Sequence, residues 1–176
     1  RKMSNYFDIT LAKRAENRLV ELSNMQKGIL NGTEYSIIYT DIDGVIKSFN
    51  KGAEKMLGYS SSEIINVHTP SIIHEIDEVI SRAEILSKKL GYNVPPGFES
   101  FVAKVRTEDV DTNEWTYIRK DGSRLPVLLS VTAIRDNDQK IIGFLGIARD
   151  ITGQKLSQKA LEESEARYRS MVENST

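Results

Sequence analysis

No cysteine occurs in the 176 residues, which excludes disulfides, thiolate metal sites and cysteine nucleophiles. A surplus of either charge is missing too. Lys and Arg number 24 against 25 Asp and Glu, and a formal net charge of −1 offers no electrostatic footprint for nucleic acid or an acidic membrane surface. No apolar run approaches the roughly 18 residues that span a bilayer. The opening "RKMSNYF" has no apolar stretch behind it and is not a signal peptide. A cytoplasmic setting is expected, with any membrane anchor outside these residues. The remaining composition, 39% hydrophobic and 28% charged, is that of a globular domain with a real core plus extensions.

Catalytic constellations are equally scarce. Asp41 and Asp43 form a carboxylate pair, but "DIDG" is turn chemistry, where Asp bonds its own backbone. Glu162, Glu163 and Glu165 fall on a solvated helical face. "GFLG" at 143–146 lies inside a strand pattern and lacks the lysine and helix of a phosphate loop. No nucleophile elbow and no metal-ligand spacing occurs. The chain is therefore expected to be no enzyme and to hold no metal.

Hydropathy periodicity gives the organisation. Leu11, Ala15, Leu19, Leu22 and Ile29 recur at helical intervals, so 11–33 reads as a linker helix ending at "NGT", with Gln26 as a weak point in its seam. Residues 35–49 read as a β-hairpin about "DIDG". Helices are predicted at 50–57, at 61–66 and at 75–90, the last with Ile76, Val79, Ile80, Ala83 and Leu86 on one face. Between them, 66–73 reads as loop or a single turn. The breaker-rich 91–113 reads as a loop with a short helix at 98–106. Strands are predicted at 114–120, 123–135 and 140–150, joined by the turns "KDGS" and "DNDQ". A charged helix at 155–173 ends at "NST". Two strands, several small helices, then three strands make an α+β fold with an antiparallel sheet.

One tripeptide is written twice. Asp8-Ile9-Thr10 and Asp150-Ile151-Thr152 each precede a charged helix that closes on an Asn-x-Thr stop. This predicts a tandem array: residues 1–10 as the tail of an upstream repeat, 34–152 as the domain, 153–173 as an output helix and 174–176 as the start of a downstream repeat. Thr152 is expected to N-cap the exit helix, with Asp150 accepting hydrogen bonds from its freed amides.

Three motifs, "TDIDGVIKSFNKGAEKMLGYSSSEI" (40–64), "YIRKDGSRLPVLLSVTAIRD" (117–136) and "GFLGIARDIT" (143–152), in this order and spacing, resemble the PAS domain, a sensory module of bacterial signalling proteins. The resemblance covers about residues 30–152. It implies a five-stranded antiparallel sheet with short helices over one face, enclosing a small pocket. It further implies that Asp150 and Thr152 relay motion from the last strand to an output coiled coil. Strand parity puts Trp115 with Tyr117, Val127 with Leu129 and Val131, and Phe144 with Ala148, each set on one face. The resemblance places these faces inward, and with Val79, Ile80 and Ala83 they form the candidate pocket.

The family's cofactors can be weighed residue by residue. Its flavin-binding branch uses a cysteine, two asparagines and a glutamine, and the matching positions here are Pro70, Tyr117, Val127 and Ala148, none with that chemistry. Haem needs an axial ligand, for which His74 is the candidate. Its place among "HEIDEV" carboxylates reads as an exposed helix-start histidine instead. No cofactor, or a small organic or fatty ligand in an apolar, aromatic pocket, is the expectation.

Three functions follow. The first is a sensory and relay module, dimeric through Leu11, Ala15, Leu19, Leu22 and Ile29, inside a sensor histidine kinase and in contact with neighbouring domains of its own chain. The second is a ligand-free dimerisation spacer in a cyclic-di-GMP signalling protein. The third is a haem-based gas sensor. None involves nucleic acid or direct membrane contact.

Overall fold

The computed structural model describes residues 2–175; Arg1 and Thr176, the outermost residues of the two flanking repeats expected from the sequence, lie outside them. The chain runs α1 (Lys2–Asn31), β1 (Ser36–Thr40), β2 (Ile46–Phe49), α2 (Lys51–Leu57), α3 (Ser61–Ile64), a 3-10 turn (Pro70–Ile73), α4 (Ile76–Leu90), α5 (Glu99–Val102), a second 3-10 turn (Lys104–Arg106), β3 (Val110–Ile118), β4 (Arg124–Arg135), β5 (Ile141–Asp150) and α6 (Thr152–Glu173). The strands form one antiparallel sheet in the order β2-β1-β5-β4-β3. The last strand made is thus the central one. It pairs Ser36 with Ala148 on one side and Leu129 with Ala148 on the other.

Turn chemistry sets the hairpins. Asp41 Oδ1 accepts from the amides of Asp43 and Val45 at 3.1 and 2.9 Å, which fixes "DIDG" as a turn. Asp121 and Asp136 do the same for the later turns, accepting from Ser123 at 2.9 Å and from Asp138 and Lys140 at 2.9 and 3.0 Å. Asn50 caps α2: its Oδ1 accepts from Ala53 N and Ile37 N, both at 2.9 Å, while its Nδ2 donates to Tyr35 O at 3.0 Å. One buried amide therefore ties the first turn of α2 to the start of β1.

One face of the sheet carries the core. Ile38, Ile46, Phe49, Trp115, Tyr117, Leu125, Val127, Leu129, Val131, Phe144 and Ala148 alternate with less buried neighbours and pack under Ala53, Leu57, Ile64, Ile73, Val79, Phe101, Val102 and Val105. A second, smaller cluster of Ala83, Leu86, Val94 and Ala103 holds the back of α4 against the insert at 91–109. At the sheet edge, Glu78 of α4 accepts from both the amide and the hydroxyl of Thr116, each at 2.7 Å, and so occupies a donor that an edge strand would leave open.

Several boundaries differ from the sequence reading. β3 starts at Val110, not 114, because Asp111 is buried as the anchor of an ion-pair cluster and its polar neighbours continue the strand. The first Asp-Ile-Thr lies within α1, where Thr10 Oγ1 donates to Tyr6 O at 2.8 Å, so it starts no helix. Every described side chain of α1 is exposed, and the helix meets the domain mainly at α2.

Candidate functional site

The core is not filled completely. Between the sheet and the layer formed by the 3-10 turn and α5 lies a cavity of about 30 Å³, room for about two water molecules. Its walls come from four strands, a turn and the insert. Ile38 and Thr40 stand on β1, and Phe144 and Gly146 on β5. Tyr117, Leu129 and Val131 stand on β3 and β4. Pro70, Ile73 and His74 come from the turn before α4, and Phe98, Phe101 and Val102 from the insert. The lining is almost wholly apolar.

The sequence-predicted pocket residues divide. Tyr117, Leu129, Val131 and Phe144 line the cavity. Trp115, Val127, Ala148 and Val79 are buried in the same core but stand back from it. Ala83 belongs to the second cluster beneath the insert. Ile80 is 40% exposed and is no pocket residue. The buried stripe of α4 is Val79-Ala83-Leu86, and one residue on from Val79 the helix has turned about 100° away. Ile76, predicted on the same face, is also exposed.

His74 requires the largest correction. It is 5% exposed, not a surface histidine at a helix start. The 3-10 turn delivers it to the sheet, where its backbone bridges Tyr117. Its ring lies 4.2 Å from that of Phe101, 4.8 Å from Tyr117 and 5.3 Å from Trp115. Nδ1 sits 2.7 Å from the Pro70 carbonyl. A carbonyl only accepts, so Nδ1 carries the proton and Nε2 presents a bare lone pair. Burial pushes the imidazole down to about 4, against a smaller upward pull from the Pro70 bond, so the ring is neutral at physiological pH. Nε2 finds no hydrogen-bond partner among the described residues, and neither does Oγ1 of Thr40; both atoms are fully buried. Burial also pushes the Tyr117 hydroxyl upward, keeping it neutral.

The insert at 91–113, whose place the sequence left open, is a wall of the cavity. Phe98 packs edge-on to Phe144 at 5.6 Å, and Arg106 stands over the Phe144 ring at 5.3 Å. Gly44, at φ +86°, leaves the space that the Phe98 ring fills: a Cβ there would meet it at 2.6 Å. The insert is clamped at its end by Asp111, which accepts from Arg82 at 2.7 Å and from Lys104 at 3.0 Å. Burial alone would raise the Asp111 carboxyl, but bonds from Lys104 and Arg82 outweigh it and hold it below the usual range. Sequence reasoning missed Phe98, Phe101 and Val102, although their i, i+3, i+4 spacing inside the helix predicted at 98–106 was a usable signal.

At the exit, β5 becomes α6 with a single residue, Ile151, between them. Ile151 is 1% exposed, and its amide donates to Pro126 O of β4 at 3.1 Å. Asp150 Oδ1 accepts from the Thr152 amide at 2.7 Å, as its capping role requires. Thr152 is not the cap: it is the first helical residue, and its buried hydroxyl has no partner among the described residues. Lys155 on α6 pairs with Glu114 on β3, tying the helix start to the sheet. The dimer positions Leu11, Leu19, Leu22 and Ile29 are 50–68% exposed and Ala15 is exposed with them, so that seam stands uncovered. No described residues group as a metal site, and no described helix is long and apolar enough to cross a membrane.

Comparison with known proteins agrees with this architecture. A family model described as PAS domain matches residues 34–153, and the chain belongs to that family. It is 28% identical over 162 residues to a two-component system protein A of Emericella nidulans, a match covering 85% of this chain and 21% of that protein. It is 24% identical over 167 residues to the sensor protein FixL of Bradyrhizobium diazoefficiens, covering 90% of this chain and 28% of the relative. The chain thus spans less than a third of the length of the curated relatives it matches. Among solved structures, the PAS domain of a Colwellia psychrerythraea protein aligns with a TM-score of 0.58 and 25% identity, over 75% of this chain and 98% of that one. The chain is a sensory-type PAS domain with homologues among two-component sensors.

Proposed function

We propose that this chain senses and relays. A small ligand enters the cavity between sheet and insert, shifts β5, and moves α6, which passes the change to an output domain in the same polypeptide. The observation that carries this reading is the continuity of β5: the strand that lines the cavity through Phe144 and Gly146 runs into α6 across one buried residue. A displacement at the wall has no flexible loop in which to dissipate. The two-component relatives favour a histidine kinase as output. The uncovered seam of α1 and the exposed Leu156, Leu161, Tyr168 and Val172 of α6 favour pairing with a second copy, because isolated helices with an apolar stripe are marginal in water. No reaction is proposed for these residues themselves. Neither flavin nor haem is proposed as cofactor: a cavity of about 30 Å³ is far below the size of either.

The small cavity also favours a second reading, a ligand-free spacer that only transmits changes along an array. Native mass spectrometry of the fragment, with hydrogen exchange across the first turns of α6, separates the two. Bound mass that is lost on denaturation, with α6 protection changing when it is removed, supports sensing. A clean apo mass and unchanged exchange after incubation with candidate ligands supports the spacer. In the sensing case Asp150→Ala should leave binding intact and lose the change in α6 protection, at a stability cost of about 1 kcal/mol for the lost cap.

A further inference from the structure

A cavity of about 30 Å³ is well below the size of an ordinary small-molecule site. An organic ligand therefore needs space that a side chain now fills. Of the side chains that line the cavity, all are buried except Pro70 and Phe98, which are half-buried. Pro70 is fixed by its own ring and by the bond between its carbonyl and His74 Nδ1 at 2.7 Å. Phe98 is held differently. Its ring lies edge-on to Phe144 at 5.6 Å and rests on the backbone of Gly44, where a Cβ would meet it at 2.6 Å. The chain around it is tied to α4 on both sides: Val94 N donates to Ser87 Oγ at 2.8 Å, and Ser100 Oγ donates to Val79 O at 3.0 Å. Between these ties Pro95 and Pro96 are exposed, and Gly97, at φ +122°, is half-buried beside Phe98. The Phe98 ring can thus swing toward solvent about its own torsions while the insert stays in place.

We propose that Phe98 is a plug that the ligand displaces, and that the ligand is a neutral compound with one apolar ring and a short substituent. Its ring takes the place of the Phe98 ring against Phe144, and the substituent enters the cavity. This deepens the sensory reading above and rests on it. The vacated space has the size of one benzene ring, and apolar cavities of that kind bind benzene with no polar contact at all. The lining holds no charged side chain, and its polar groups, Thr40, His74 and the Tyr117 hydroxyl, are neutral. An ion would lose its hydration there with nothing to replace it. Arg106, which stands over the Phe144 ring, is already paired with Glu99 at 2.5 Å and is no free partner for an anion. The exchange also reaches the relay, because Phe144 stands on β5 and the strand runs on toward α6. Expelling a half-buried phenylalanine should weaken binding about tenfold relative to a chain without that ring.

The test titrates toluene, and separately benzoate, into the whole 176-residue chain with 13C-labelled phenylalanine, and into Phe98→Ala. In the parent, toluene should bind saturably. The nuclear Overhauser contacts between the Phe98 and Phe144 rings should fade in step, and contacts between toluene and Phe144 should replace them. Phe98→Ala should bind toluene about tenfold more tightly. Benzoate, the same ring with a charge, should bind neither chain at concentrations where toluene saturates. Hydrogen exchange across 100–109 reports whether Phe98→Ala keeps its insert folded; if it does not, the parent titration decides alone. Toluene bound with the Phe98–Phe144 contacts intact overturns the plug while the cavity remains a ligand site. Benzoate binding as well as toluene overturns the apolar chemistry on the same terms. Toluene binding to a folded Phe98→Ala but never to the parent means that the ring is not displaced, and the proposal is wrong. If toluene binds neither chain, the cavity-based sensing reading falls with it.

Discussion

A histidine that is neutral because it is buried makes stability depend on pH. The folded His74 titrates at about 4 and the unfolded one near 6.5. The unfolded chain therefore takes up the proton first, and stability present above pH 6.5 is lost as the pH falls toward 4. Between pH 6.5 and 5, above the range in which most carboxylates titrate, the loss should be about 2 kcal/mol, at 1.36 kcal/mol per unit. Urea denaturation across this window should show the slope, and His74→Phe should flatten it. A parent protein with no slope would mean that the ring reaches solvent. The residue scale is also where the sequence was least readable. Glu75 and Asp77 beside His74 suggest a wet helix start, but the preceding turn and the pairing with Tyr117 decide where the ring goes. The Tyr117 pairing is a contact with a segment far from it in the chain. Asp41 and Asp150, whose partners lie within four residues, were readable for the same reason in reverse.

Among the elements, the insert is held by a buried ion-pair cluster as well as by packing. Its 3-10 turn supplies Lys104, α4 supplies Arg82, and β3 supplies the buried Asp111 that joins them. Breaking a buried cluster by removing one member leaves the others uncompensated, at about 3–5 kcal/mol when fully buried. Arg82 and Lys104 are 18% and 19% exposed, so a cost of about 2–3 kcal/mol is expected for Asp111→Ala. Hydrogen exchange should then rise across 91–109 while β4 and β5 stay protected; uniform loss of protection would show that the insert is not a separable lid. The antiparallel sheet and the helices with strong periodicity followed from the sequence, because each buries one face against the same core. The start of β3 did not, because a strand opening on Asp, Thr and Asn looks like a loop until the cations that pair with Asp111 are seen.

The whole molecule is a compact domain carrying two long helices that give it little surface in return. Along α1 every described side chain is exposed, and α6 buries none of its own. If the proposed pairing with a second copy covers the seam, Leu19→Glu with Leu22→Glu should shift sedimentation toward monomer at tens of micromolar. The thermal midpoint of the domain should be nearly unchanged, since neither residue touches the core. A wild-type monomer at those concentrations would reject the pairing. The spacing of Leu11, Ala15, Leu19, Leu22 and Ile29 was legible from the start; what covers it was not, because a stripe records that a partner is needed without recording which one.

The central position of β5 bears on how the molecule is made. β1 and β2 leave the ribosome early, β3 and β4 much later, and no strand pairing joins these halves until Ile141–Asp150 has been synthesised. Non-local pairings of this kind fold slowly. At a synthesis rate of about 5–20 residues per second, the nascent chain spends about 1–3 seconds as two open hairpins with their apolar faces unsatisfied. The segment that ends this exposure is the one that leads directly into α6, so the exit helix emerges from a sheet that has only just closed.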